Sequence, residues 1–148
     1  MKSRNQDHEL LKEIVLEVES VYDDVGKLRI ERNCTGTAEC CHFNLTGRTP
    51  YLTKGEAVVA ARAWKASGRK LLPEKPDGSC PFLNPAQKCM IYESRPFGCR
   101  THFCHAAGGP YARKDVIDLI RRLEKIDQSL GGKGALPLAT AVTDSGIL

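Results

Sequence analysis

The chain has 148 residues, of which 41% are hydrophobic and 27% charged, and its 22 basic and 18 acidic side chains leave a formal charge of +4. That length suits one small domain with a modest core, and no apolar run approaches the roughly 18 residues needed to cross a bilayer, so membrane insertion is not expected. The basic residues are spread along the chain with no aromatic-interleaved stripe and no DNA-reading motif, which argues against nucleic acid as a partner.

The first residues, MKSRNQDHELLKEIVLEVES, contain no apolar stretch of the roughly 7–15 residues found in a secretory leader and no small-residue cleavage site. A cytoplasmic location is the expectation. Within this stretch and just beyond it, Leu10, Leu11, Ile14, Val15, Val18, Val21 and Tyr22 recur at helical intervals among charges. This pattern predicts an amphipathic helix over about 8–24, closed near Gly26.

Residues 32–47, RNCTGTAECCHFNLTG, carry Cys34, Cys40 and Cys41 with little preference for a regular element. Adjacent cysteines in a regular backbone point in different directions, so Cys40 and Cys41 imply an irregular loop or service to different centres. His42 is a further candidate nitrogen ligand, set against the commoner role of a hydrogen-bonding histidine.

Thr53-Lys54-Gly55-Glu56 has the form of a capping box and predicts a helix over about 54–67. Its Ala57, Val58, Ala61 and Trp64 fall on one face, with Trp64 as a core anchor, and Ser67-Gly68 ends it before a proline-containing loop. Next come two short apolar runs, Cys80 to Leu83 and Cys89 to Tyr92, around the polar turn Asn84 to Lys88. They predict a short β-hairpin with cysteines at its ends. Pro96 then opens a helical turn carrying Cys99 toward that hairpin. Arg95 and Arg100 either offset the charge of a thiolate centre or pair with Glu93. Val116, Leu119, Ile120, Leu123, Ile126 and Leu130 predict a third amphipathic helix over about 114–130, followed by a loosely held tail from Gly134. The fold class is therefore mainly α, with irregular cysteine-rich loops and a short β-hairpin. It is one domain over 1–148, stapled by metal, with the metal-binding part at about 34–105.

Seven cysteines dominate the chemistry. Four fall within the 26 residues from Cys80 to His105, separated by 8, 9 and 4 residues. Thiolates gathered together raise one another's pKa unless something positive or covalent holds them. An odd count in a chain without a secretory leader favours a metal over a disulfide framework. There are neither the Cys-x2-Cys knuckles of zinc fingers nor the x2 runs of ferredoxins, so spacing leaves zinc, iron and an iron-sulfur cluster open. Three classes of function follow: a metal-binding protein with no assigned reaction, a redox or radical-type enzyme using an iron-sulfur cluster, and an interaction module with a structural zinc. A cysteine nucleophile is a further alternative, Cys99 or Cys104 with His102 or His105, but no third orienting group accompanies it. No residue is thereby identified as catalytic, and no protein partner is indicated.

The wording CPFL, then CMIYESRP, then CR, together with LTKGEA upstream, resembles the YkgJ-like or CxxCxxCC cysteine cluster family of bacteria, described as chelators of zinc or iron. The resemblance covers roughly Cys34 to Cys104. It implies Cys34, Cys40, Cys41, Cys80, Cys89, Cys99 and Cys104 as metal ligands. Thr37 stands where the family has the second cysteine of its upstream group. The resemblance implies chelation and no reaction.

Overall fold

The structure is a computed structural model that describes residues 4–28, 49–76, 78–86, 88–101 and 111–147, with side chains from His8 onward. All three expected helices form. Helix α1 spans Arg4–Gly26 and buries Ile14, Val18, Val21, Tyr22 and Val25, the stripe drawn by their three- and four-residue spacing. Leu10 and Leu16 of the same helix stay exposed. Helix α2 spans Lys54–Ala66 and buries Gly55 through Ala61 together with Trp64. So complete a burial means that α2 is covered on more than one side. Its Ala57, Ala60, Ala61 and Trp64 join one apolar cluster, and Val59 joins a second with α1 residues.

The other two helices are α3, Phe97–Thr101, and α4, Arg113–Ser129. Val116, Leu123 and Ile126 of α4 are buried against α1 in the second cluster. The three long helices meet at Gly55. A Cβ there would lie 2.9 Å from Val18 Cγ2 and 2.9 Å from Ile126 Cγ2, so the absence of a side chain lets α2 approach both neighbours. Gly68 and Gly131, just beyond the ends of α2 and α4, have φ of 92° and 77°. Glycine adopts these left-handed values without the steric cost that a Cβ brings, which suits a helix stop.

Strand β1, Tyr51–Leu52, pairs antiparallel with β2, Leu136–Pro137, in the register Tyr51↔Pro137 and Leu52↔Leu136. Helix α5, Leu138–Asp144, follows β2 directly. The expectation of a loosely held tail is therefore overturned. Leu138, Ala141 and Val142 are buried in the first cluster beside Trp64 and Phe82, and the Leu138 N–H donates to Pro50 O at 3.0 Å. Three apolar residues at helical spacing were enough to dock a seven-residue helix, although such a short pattern does not stand out in sequence.

The segment Cys80 to Tyr92 doubles back as expected, but with a single antiparallel bridge, Leu83↔Cys89. Pro81 explains why the first run is not a strand. The Leu83 N–H donates back to Cys80 O at 3.1 Å, closing a tight turn in which proline's fixed φ suits the second position. The far turn is closed by Asn84, whose backbone N–H donates to Lys88 O at 2.9 Å and whose side-chain oxygen accepts from the Lys88 N–H at 3.0 Å.

Candidate functional site

Leu83 and Cys89 are bracketed by the bonds Met90 N–H to Phe82 O, 2.8 Å, and Asn84 N–H to Lys88 O. They form the narrow, non-hydrogen-bonded type of antiparallel pair, in which the two side chains share a face and the Cα atoms approach to about 4.5 Å. Leu83 is buried, and half-buried Cys89 packs against the first apolar cluster. Cys80 is a buried free thiol in that same cluster. The hairpin therefore delivers two of its cysteines to one side of α2.

Cys99 lies on the other side. After a 3-10 turn at Tyr92–Ser94, Pro96 starts α3, and its carbonyl accepts from the amides of Cys99 and Arg100 at 3.0 and 3.1 Å. Phe97 anchors α3 in the second cluster. Half-buried Cys99 shares a cleft of ≈ 670 Å³ with Thr53, Glu56 and Asp127. Two chain ends meet at this helix. Pro50, where the chain returns from the segment containing Cys34, Cys40 and Cys41, abuts Gly98, where an added Cβ would stand 3.6 Å from Pro50 Cβ. At the opposite end the Tyr111 N–H donates to Thr101 O at 2.8 Å, joining the two flanks of the segment that contains Cys104.

The electrostatic feature of the site is Glu56, which is 3% exposed. Its Oε2 accepts from the Thr53 N–H at 3.0 Å, the bond that a capping-box glutamate makes, and from the Thr53 hydroxyl at 3.1 Å. Its Oε1 accepts from the Phe97 N–H at 2.7 Å and the Tyr22 hydroxyl at 3.2 Å. Burial pushes the carboxyl above its ordinary range, and these hydrogen bonds oppose the shift. Tyr22 is pushed well up, first by burial and then by the Glu56 charge.

Neither Arg100 nor Arg95 forms the expected ion pair with the Glu93 carboxylate. Arg100 lies 4.2 Å over the Tyr22 ring and donates to the carbonyls of Arg95 and Glu93, both at 2.7 Å. Arg95 donates to Tyr92 O at 2.9 Å and lies 3.9 Å over the Tyr92 ring. The two guanidinium groups brace the backbone leading into α3. Asp127 is a second buried acid that periodicity passed over. Its carboxylate accepts from the Lys54 N–H at 2.8 Å and the Gly134 N–H at 3.0 Å. Its position four residues after Leu123, on the apolar stripe of α4, was the available signal.

Of the seven expected ligands, Cys80, Cys89 and Cys99 are placed as above, while Cys34, Cys40, Cys41 and Cys104 lie outside the described residues, as do His42, His102, His105 and Thr37. Among the described residues, no three of His, Cys, Asp and Glu come together as a metal-binding group. Thiolate sulfur, which Cys80, Cys89 and Cys99 can each supply, is a donor suited to zinc or iron. Among the described residues, no helix is long and apolar enough to cross a membrane.

No curated protein and no solved structure matches the chain. A family model does match, over residues 33–124, which is well over half of the chain and includes all seven cysteines. The chain therefore belongs to the CxxCxxCC family, described as a "putative zinc- or iron-chelating domain".

Proposed function

We propose that this protein holds zinc or iron on cysteine thiolates, with Cys99 and cysteines drawn from Cys34, Cys40, Cys41 and Cys104 serving one centre, and Cys80 and Cys89, on the other side of α2, available to a second. The supporting observation is the position of α3: the return of one cysteine-bearing segment at Pro50 abuts Gly98, and the flanks of the other are joined at Thr101 and Tyr111. Cys99 thus lies on the short helix against which the described flanks of both segments are placed. A bound ion would supply the positive charge that lets neighbouring thiols ionise together. The centre is assigned no reaction. Iron, alone or as an iron-sulfur cluster, and zinc are both compatible with thiolate ligation.

Metal analysis of protein purified without oxygen tests the reading, with roughly one or two zinc or iron per chain expected. A thiolate-to-iron absorption band in the visible would identify iron, and a colourless metal-loaded protein zinc. Absence of both metals, together with seven titratable thiols, would overturn the proposal.

A further inference from the structure

Helix α3 has five residues, far short of the roughly 12–15 at which an isolated helix becomes marginally stable in water. The position of Cys99 therefore depends on what fastens α3 from outside. The Phe97 N–H, on the first residue of α3, is bound to Glu56 Oε1 at 2.7 Å across 41 residues of sequence. Tyr22, the other donor to Oε1, also carries Arg100 of α3 on its ring. The opposite oxygen of Glu56 is fixed by Thr53 at the start of α2. One carboxylate thus ties the start of the longest-buried helix to the turn that bears Cys99. Donors face both oxygens, two on each, and only a carboxylate can accept on both sides. A glutamine would have to aim its NH2 group at one pair of donors.

We infer that Glu56 is a positioning residue for the metal centre, holding the Cys99 thiol in its ligating place by fastening the first amide of α3. This rests on the reading that Cys99 binds zinc or iron. Asp24 provides a control, because its carboxylate joins α1 to α4 through Arg122 and lies outside the cleft that Cys99 lines. A merely structural contribution would make the two acids equivalent, whereas a positioning role separates them.

The test compares wild type, Glu56→Gln and Asp24→Asn by zinc affinity against a competing chelator, by the thiolate bands of the cobalt(II)-loaded protein, and by helix content. Glu56→Gln is expected to weaken zinc binding about 10–100-fold, as loss of a group that orients a ligand does, and to alter the cobalt(II) thiolate bands while helix content persists. Asp24→Asn is expected to keep the wild-type bands and affinity. Wild-type affinity and spectrum in Glu56→Gln, or an equal loss in both variants, would overturn the inference and leave the metal reading standing. A wild-type chain that takes up none of zinc, cobalt(II) and iron would overturn both. Should Glu56→Gln fail to fold, Tyr22→Phe carries the test, since it removes one donor from Oε1 and leaves Oε2 untouched. Its zinc affinity should fall about fivefold, the equivalent of one net hydrogen bond, and an unchanged affinity would overturn the inference.

Discussion

The Asp127 carboxylate accepts the backbone N–H of Lys54 at 2.8 Å, 73 residues away in sequence. An acid from the last turns of α4 thereby satisfies one of the orphan amides at the start of α2, where a negative charge also meets the positive end of the helix dipole. Its other oxygen holds Gly134 at 3.0 Å, and Gly132 packs so closely on the carboxylate that a Cβ there would overlap it. Asp127→Asn should destabilise the protein by about 1–3 kcal/mol, because one side of the amide would present an N–H to a donor. Gly132→Ala should destabilise it through the same contact, by displacing the carboxylate. Denaturant unfolding of both variants measures this, and wild-type midpoints would refute it.

Acid lability should trace to Asp24. Its carboxyl lies below its ordinary value of 3.8, first because of the hydrogen bond from Arg122 and then because of the charges of Arg122 and Lys27. The Arg122 Nη1 to Asp24 Oδ2 contact of 2.5 Å joins α1 to α4. A depressed native pKa contributes stability that is present above the unfolded value and lost as pH falls through the folded one. Glu56 has the opposite sign. Its raised carboxyl contributes stability that is full below 4.5, its ordinary value, and is lost as pH rises through the native one. In metal-free protein, Asp24→Asn should flatten the decline below pH 3.8, and Glu56→Gln should remove the gain seen on approaching pH 4.5 from neutrality. Unfolding midpoints across pH decide both.

The C-terminal helix should behave as core. Val142 is fully buried and Leu138 1% exposed, in one cluster with Trp64 and Phe82. Leu138→Ala should cost about 2–5 kcal/mol and Trp64→Ala about 3–5 kcal/mol. A truncation before Leu136, which removes β2 as well as α5, should leave β1 unpaired and the protein largely unfolded. A truncated chain with native helix content and a cooperative transition would contradict this.

Cys99→Ser and Cys80→Ser should separate ligation from packing. Cys99 is half-buried on a cleft, so its serine variant should lose bound metal while α1, α2 and α4 remain packed. Cys80 is 4% exposed among apolar side chains, so a hydroxyl there should also destabilise the metal-free protein, by about 1–3 kcal/mol. Metal content and metal-free stability, measured side by side, distinguish the two. Full metal loading of Cys99→Ser would remove that residue from the ligand set.

By itself the sequence determined the three long helices, the start of α2 at Thr53 and Glu56, the core role of Trp64 and the turn from Asn84 to Lys88. Each of these depends on residues within about four positions of one another, through helical periodicity, capping or turn closure. The family was legible for a similar reason, since cysteines at set spacings are read without knowing where the chain travels. Tertiary structure alone decided that Oε1 of Glu56 reaches Phe97, that Asp127 caps a helix 73 residues upstream, and that Leu138, Ala141 and Val142 complete a core. It also decided that Cys80 and Cys89 pack in one apolar cluster while Cys99 lines a cleft on the side of α2 that faces α4. Partnerships of this kind join residues whose separation along the chain carries no periodic signal, and they come into being only once packing has set the path of the backbone between them.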